Sequence, residues 1–390
     1  MLEMYKVLLE RNLQQMVCFI LLINFLCLPD TIFTEGNVKL NARHGSLPSK
    51  LILRNITTSK VNECLKHCLE DCSCLSFQIC EMGCQLLSST ITAEIINQDE
   101  KRECQHFTMS LSIQKDTSNY STENCSVKID CCYTSNYCSN NGKCQQLTYL
   151  TSEVRALCKC KEGFVGKRCE KKAKSCQNFH GRSNGWYQII TNENKMVKVY
   201  CQFDTAHVWT LVMSYSFKLR ARYRYQPYYK NFSRNEANET WEDYRLPLYA
   251  MKSIKDDGNT LWRITCSYGD KDWNKTDLVV ATHENAPILK QNNDNAVCLN
   301  VSFIDIKGYE CNDCRIPFWQ NDKQVFHTDN SHDNSKCNLK NFQSSGCSNS
   351  DGSGGEDNFG YYDCYNTTHR CASSESATTQ LWFGERMNSK

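Results

Sequence analysis

Several stretches of the chain carry a hydrophobic pattern with a definite period. Met16 to Leu28 is an apolar run (Met-Val-Cys-Phe-Ile-Leu-Leu-Ile-Asn-Phe-Leu-Cys-Leu), with Lys6 and Arg11 ahead of it and Pro29-Asp30 behind. A helix that crosses a bilayer needs about 20 such residues. The shorter run predicts a cleaved signal peptide within residues 1–36 and no membrane span. Val61, Cys64, Leu65, Cys68 and Leu69 fall on one helical face, and Ser59 stands where a cap is expected. Tyr187 and Ile189 alternate as in a half-buried strand. Leu261-Trp262-Arg263-Ile264-Thr265-Cys266 also alternates, and Leu381-Trp382-Phe383-Gly384 predicts a closing strand.

Composition narrows the class. The 390 residues correspond to two or three domains. Hydrophobic residues at 40% and charged residues at 23% make a globular chain. A net charge of +2 argues against a nucleic-acid binder. The 27 cysteines point to an oxidising compartment and a secreted, extracellular protein. With Cys18 and Cys27 removed in the signal, fifteen cysteines lie between 64 and 169 and ten between 176 and 390. All seven tryptophans fall in the second stretch. The first half therefore reads as small modules stapled by disulfides, and the second as a domain with its own core. Sequons at Asn55, Asn119, Asn231, Asn238, Asn274, Asn300 and Asn366 are expected glycosylation sites. Asn124 is set aside because Cys125 lies inside its sequon.

Cys132, Cys138, Cys144, Cys158, Cys160 and Cys169 are separated by five, five, thirteen, one and eight residues, and Gly163-Phe164 follow Cys160. Six cysteines allow fifteen pairings, which spacing alone does not resolve. Asn140-Asn141-Gly142 fits a tight turn between short strands, and Gly163 a positive backbone angle. Residues 128–170 resemble an epidermal-growth-factor-like module. The resemblance implies Cys132–Cys144, Cys138–Cys158 and Cys160–Cys169. The segment before Cys132, Val127-Lys128-Ile129-Asp130-Cys131, offers a single acidic residue where the calcium-binding variant needs several, so a non-calcium structural spacer is expected.

Upstream, Cys64, Cys68, Cys72, Cys74-Leu-Ser-Phe, Cys80, Cys84-Gln-Leu and Cys104 follow the predicted helix with two strand-like pieces. Residues 37–108 resemble a PAN/apple domain. The resemblance implies Cys68–Cys74 and Cys64 with Cys84 or Cys80. Cys72 and Cys80 are extra to the minimal pattern and could bond to each other. Residues 109–127 are polar and read as a linker. An odd total of 25 leaves one cysteine for a disulfide-linked homodimer or a free thiol, with Cys104, Cys125 and Cys131 as candidates.

From 171 onward, Ser175-Cys176, Gly185-Trp186-Tyr187, Tyr200-Cys201-Gln-Phe203-Asp204 and Trp209-Thr210-Leu211-Val212 resemble the start of a fibrinogen-like carboxyl-terminal domain, here 171–390. The resemblance implies Cys176–Cys201 joining the first two strands. Ala206-His207-Val208 stand where the family usually has glycines. The segment Gly354-Gly355-Glu356-Asp357-Asn358-Phe359-Gly360-Tyr361-Tyr362 resembles the tail of intelectin-type lectins. That implies a calcium site, with Asp329, Asp333, Asp351, Glu356 and Asp357 as candidate ligands. Calcium accepts six to eight oxygens, and sugar hydroxyls can complete its shell. Tyr361 and Tyr362 are candidate walls for the sugar's apolar face. In Asn/Asp/Ser/Gly-rich loops the same carboxylates also serve as turn caps. Cys364 and Cys371 could close a small loop. Cys311-x2-Cys314 lacks the second pair that a zinc site needs.

Two further patterns bear on function. Lys218, Arg220, Arg222, Arg224 and Lys230 interleave with tyrosines. On a strand, Arg220, Arg222 and Arg224 would share one face and attract a glycosaminoglycan. Thr205-Ala206-His207 and Asp351-Gly352-Ser353-Gly354-Gly355 superficially resemble protease motifs, but Ser353 is misplaced for an oxyanion turn, so no enzyme is expected. The reading is a multi-domain, disulfide-rich chain: an α+β apple-like module, a small β EGF-like module and a mixed α+β fibrinogen-like domain. Its expected role is extracellular recognition or adhesion of a glycan or protein, with calcium as the candidate cofactor. The alternative is a structural matrix protein held by crosslinks and basic contacts.

Overall fold

The computed structural model describes residues 36–44, 51–89, 104–113, 131–132, 137–147, 155–179, 181–268, 277–290, 297–306, 309–322, 324–328, 337, 359–360, 362–366 and 369–387. The chain forms two compact units. The first comprises 1–161 with 166–170, and the second 162–165 with 171–390. The molecule is disulfide-rich, multi-domain and mainly β. Among the described residues no helix is long and apolar enough to cross a membrane.

In the first unit, strands β1 (Gly36–His44), β2 (Ile52–Ile56), β3 (Ser76–Cys80), β4 (Gly83–Leu87) and β5 (Gln105–Ile113) form an antiparallel sheet. Its order is β1-β5-β3-β4-β2. Helix α1 (Val61–Glu70) buries Cys64, Leu65, Cys68 and Leu69, the face set by their spacing. They pack with Phe77, Leu86 and Phe107. The cap differs from the Ser59 expectation. Lys60 is the cap residue and its side chain makes no capping bond. Instead Thr58 Oγ1 accepts from Lys60 N at 3.2 Å and donates to Glu63 Oε2 at 2.6 Å. That donation, with Lys60 beside it, holds the Glu63 carboxyl below its ordinary value.

Crosslinks tie helix to sheet through Cys64–Cys84 and Cys68–Cys74. The local Cys72–Cys80 bond does not form. Cys72 bonds Cys131 and Cys80 bonds Cys104. Cys104 and Cys131 therefore leave the candidates for an unpaired thiol, and Cys125 lies outside the described residues. The sheet brought these partners together across 59 and 24 residues of sequence, a distance that local spacing does not encode.

The remainder of this unit carries Cys132–Cys144, Cys138–Cys158 and Cys160–Cys169 around the hairpin β6 (Lys143–Gln146) and β7 (Ala156–Lys159). Asn140 and Asn141 both have positive φ, 51° and 56°, and Gly142 N donates to Ser139 O at 3.0 Å. This tight turn precedes β6 rather than joining two strands. Arg155, 2% exposed, donates from Nη1 to the carbonyls of Cys68, Leu69 and Asp71 at 3.1, 3.0 and 3.3 Å. It thus satisfies the carbonyl end of α1, which has no partners inside the helix. With Cys72–Cys131, it fuses the helix-bearing sheet to the hairpin module.

The second unit opens with the short pair β8 (Phe164–Val165) and β9 (Lys171–Lys172). Gly163 has φ +81°, and a Cβ there would lie 2.8 Å from Ile190 Cγ1, so both backbone angle and space require glycine. Then follow β10 (Gly185–Ile190), β11 (Met196–Phe203), β12 (His207–Ser216), β13 (Asp243–Arg245), helix α2 (Leu248–Asp256), β14 (Leu261–Cys266), β15 (Leu278–Thr282), β16 (Val297–Ile306), β17 (Tyr309–Asn321), β18 (Gln324–Thr328) and β19 (Thr378–Arg386). The sheet order is β10-β11-β12-β19-β14-β15-β16-β17-β18, with β13 also on β12. The last strand, β19, is inserted between β12 and β14. The strand expected from alternation, β14, and the expected closing strand, β19, are therefore both central, and every residue of β14 is buried rather than every second one.

Cys176 sits in a short 3-10 turn and bonds Cys201 of β11, so this bond joins a turn to a strand rather than two strands. Cys371 pairs with Cys266, which replaces the small Cys364–Cys371 loop. Cys364 is also disulfide-bonded. Cys298–Cys337 and Cys311–Cys314 complete the described bonds, and the latter leaves no thiolates for zinc.

Candidate functional site

Strand register places a row of aromatic and polar side chains on one face of the large sheet. Trp186 on β10 is paired with Tyr200 on β11, and Gln202 with Trp209 on β12. Trp209 faces Gly384, Leu211 faces Trp382, and Trp382 faces Arg263 of β14. Gly384 makes the crossing possible, because a Cβ there would meet Trp209 and lie 2.7 Å from Val208 O. Trp209 Nε1 donates to Asp204 Oδ2 at 3.3 Å, and the same carboxylate accepts from Ala206 N and His207 N at 2.8 and 2.6 Å. The turn from Asp204 to His207 that leads into β12 is thus closed by a carboxylate and needs no glycines.

Arg263 is the unusual member. Its guanidinium lies 4.3 Å from the Trp209 ring centre and 4.9 Å from that of Trp382. It donates to Gln202 Oε1. The residue is 7% exposed, and burial pushes its pKa down to about 9. The electron-rich ring faces supply the compensation that a buried cation requires.

Over this layer lie Trp241 and Tyr268. Trp241 is 4.9 Å from Tyr200, 5.8 Å from Trp186, 5.6 Å from Tyr268 and 6.2 Å from Trp382, measured between ring centres. Tyr268 is 4.8 Å from Trp382 and 6.0 Å from Tyr200. The segment that delivers Trp241 is pinned by Ser214 Oγ donating to Trp241 O. A second anchor is the ion pair of Lys198 with Glu239, at 2.9 Å. Trp186, Tyr200, Trp241 and Tyr268 remain partly exposed, whereas Trp382 is fully buried. Burial pushes the Tyr268 hydroxyl up to about 12, so it stays a neutral donor at physiological pH. The surface therefore offers partly exposed aromatic rings beside the Tyr268 hydroxyl and the half-buried Asp204 carboxylate. That combination suits a ligand with one apolar and one hydroxylated side.

The sequence-derived candidates fall differently. Asp329, Asp333, Asp351, Glu356, Asp357 and Tyr361 lie outside the described residues. Tyr362 is 4% exposed. Its hydroxyl accepts from Gly360 N at 3.1 Å and Thr379 Oγ1 at 3.2 Å, so it belongs to the core and offers no wall for a sugar. Arg220, Arg222 and Arg224 do not lie on a strand. Arg220–Tyr223 is one helical turn, and the arginines separate to different acceptors. Arg220 donates to Asp363 O at 3.3 Å, Arg222 pairs with Asp243 at 2.8 Å, and Arg224 pairs with Asp363 at 2.7 Å. Asp243 also holds Arg234 at 2.6 Å, and its carboxyl is kept below the ordinary range by these bonds against the opposing effect of burial. Lys230 pairs with Asp322 at 3.5 Å. The loop itself wraps Arg245, which is fully buried and donates to the carbonyls of Gln226, Pro227 and Lys230 at 2.6, 2.8 and 3.0 Å. The basic stretch thus builds structure in place of the expected cationic face.

Among the described residues, Cys266, His369 and Cys371 are the group close enough to share a metal, with ligand atoms within 4.8 Å. The Cys266–Cys371 disulfide removes both thiolates, so the group offers no metal centre in this state. The exposed sequon asparagines among the described residues are Asn55, Asn231, Asn238 and Asn300, and Asn366 is partly buried. Asn119 and Asn274 lie outside the described residues. The aromatic face escaped sequence reasoning. Its legible trace was a charge, Arg263, in the middle of an apolar strand pattern.

A comparison with curated proteins finds no match to this chain. Residues 132–168, the segment held by the Cys132–Cys144, Cys138–Cys158 and Cys160–Cys169 bonds, match the family model of the EGF-like domain.

Proposed function

We propose that this chain is a secreted, non-enzymatic recognition or adhesion glycoprotein whose second unit binds an extracellular glycan through the aromatic face of its large sheet. The EGF-like module and the dense disulfides support an extracellular setting. The helix crosslinked to a five-stranded sheet by Cys64–Cys84 and Cys68–Cys74 supports an apple-like reading of 37–108. The Cys176–Cys201 bond, with β10 and β11 around it, supports a fibrinogen-like reading of 171–390. The observation that carries the function is the set of four partly exposed rings, Trp186, Tyr200, Trp241 and Tyr268, packed edge-on and tilted around the buried Trp382, which itself covers Arg263. Pyranose rings present C–H faces that pack on such surfaces, while neighbouring polar groups take the hydroxyls.

Calcium would enter through the acidic residues Asp329, Asp333, Glu356 and Asp357, and would make binding sensitive to chelator. Ion pairing of Arg222 and Arg224, and the bond of Arg220 to the Asp363 carbonyl, weigh against a glycosaminoglycan site there. The test is a glycan array probed with the full secreted chain, with and without chelator, beside Trp241→Ala and Arg222→Ala. Glycan hits lost in Trp241→Ala and kept in Arg222→Ala support the aromatic face. Chelator sensitivity adds the calcium site. Hits unaffected by Trp241→Ala refute the aromatic face as the binding surface.

A further inference from the structure

We infer that N-linked sugars on Asn55 and Asn300 shield open sheet edges against pairing with a second chain. The inference rests on passage through the secretory route and is independent of the glycan-binding reading. Two of the described sequon asparagines lie within strands: Asn55 in β2 and Asn300 in β16. Both are exposed. A sequon in a strand is unusual in placement, since bulky glycans are expected on loops.

Both strand positions stand where a strand has a described neighbour on one side. Among the described residues, β2 ends the five-stranded sheet and pairs with β4 alone. In β16, residues 297–301 pair with β17, while β15 reaches only Phe303, Ile304 and Asp305. A strand paired on one side presents unpaired N–H and C=O groups, a template for another chain. β2 shows further signs of a guarded edge. Its register is interrupted between Ile52 and Arg54. Leu53, at the irregularity, is 39% exposed, and Arg54 is exposed beside it. Bulges and charges are known edge protections. Yet an exposed leucine on an edge is the feature that invites association. A hydrated sugar on Asn55, two residues along the same strand, would exclude a partner strand sterically at little cost to the fold. Thr57, the hydroxyl of the sequon, is exposed as well, so Thr57→Ala removes the sugar with Asn55 unchanged.

The experiment uses the full chain secreted from a eukaryotic host. Peptide mass mapping determines sugar occupancy at Asn55 and Asn300. Light scattering after size exclusion follows association at 37 °C for the parent, Thr57→Ala, Ser302→Ala, and Thr57→Ala combined with Leu53→Lys. The expected result is occupancy at both asparagines and a several-fold faster growth of soluble oligomers in Thr57→Ala and Ser302→Ala, with unchanged Tm. Leu53→Lys, which restores a charged guard to the same edge, is expected to return Thr57→Ala to parental behaviour. If a variant is not secreted, endoglycosidase trimming of the folded parent supplies the same comparison. An unmodified Asn55 or Asn300 overturns the assignment for that edge. So does a sugar-free protein that stays as monodisperse as the parent. Oligomers that Leu53→Lys does not disperse also overturn it for β2.

Discussion

Replacing Arg263 tests the physical account of the aromatic face. Burial pushes this guanidinium down to about 9 from an ordinary value above 12. At about 1.36 kcal/mol per pH unit, desolvation of the cation here is a cost on the order of several kcal/mol. Against this stand two ring contacts, to Trp209 and Trp382, each about 2 kcal/mol when desolvated. A charged hydrogen bond to Gln202 adds about 1.5–3 kcal/mol. The attractions and the desolvation are of the same order, so the identity of the replacement decides the outcome. Arg263→Met removes the attractions and the desolvation together, and is expected to cost only about 1–2 kcal/mol. Arg263→Lys keeps a buried charge, more strongly hydrated and without the planar stacking surface, and is expected to cost about 3–4 kcal/mol. Urea unfolding of the full chain, followed by tryptophan fluorescence, measures both. A lysine variant as stable as the parent, or more stable than the methionine variant, refutes the stacked-cation account.

Other outcomes follow from the same structure. Burial, with Lys255 nearby, pushes the His283 imidazole down to about 3, whereas the unfolded chain titrates near 6.5. The unfolded state then binds the extra proton between those values, so stability falls as pH drops through that window, by roughly 2 kcal/mol at pH 5; His283→Gln is expected to remove that part of the slope in acid-unfolding curves. Cys72→Ser with Cys131→Ser opens a link spanning 59 residues and is expected to cost about 4 kcal/mol in loop entropy, read as a lower urea midpoint. Arg155→Met removes the three bonds to the end of α1. It is expected to cost about 3 kcal/mol and to speed amide exchange at that helix end ahead of the rest of the sheet. Gly163→Ala forces a Cβ into Ile190 at φ +81° and is expected to lower Tm with the EGF-like disulfides intact on peptide mapping.

What the sequence made legible was local. The face of α1 follows from five apolar positions at helical spacing, and the EGF-like module from the family resemblance of its six cysteines with Gly163-Phe164. Strand β14 was visible because alternation is a property of neighbouring residues, and β19 because its short apolar run is. Their central place in the sheet was not, since it depends on the last strand entering between two earlier ones. Cys72 and Cys80 looked like neighbours in sequence but found Cys131 and Cys104 once the sheet and hairpin had assembled. The alternating Arg220-Ala-Arg222-Tyr-Arg224 segment has strand period, yet it turns as a helix. Its guanidiniums reach Asp243 and Asp363, and the loop behind it closes on Arg245. Tertiary carboxylates and carbonyls outweighed the local pattern there. The same kind of reversal hid the aromatic face. Trp241 and Tyr268 come from segments with no strand signal, and meet Tyr200 and Trp382 only in the folded chain.

The most direct test of the central claim is the affinity of the full secreted chain for its strongest glycan-array hit, measured by calorimetry beside Trp241→Ala. Truncating this ring removes a stacking contact with the ligand, so a loss of at least tenfold, about 1.4 kcal/mol, is expected, with Tm within a few degrees of the parent. Equal affinity in parent and variant, or the absence of any glycan hit for the parent, would contradict the assignment of this face as the recognition surface.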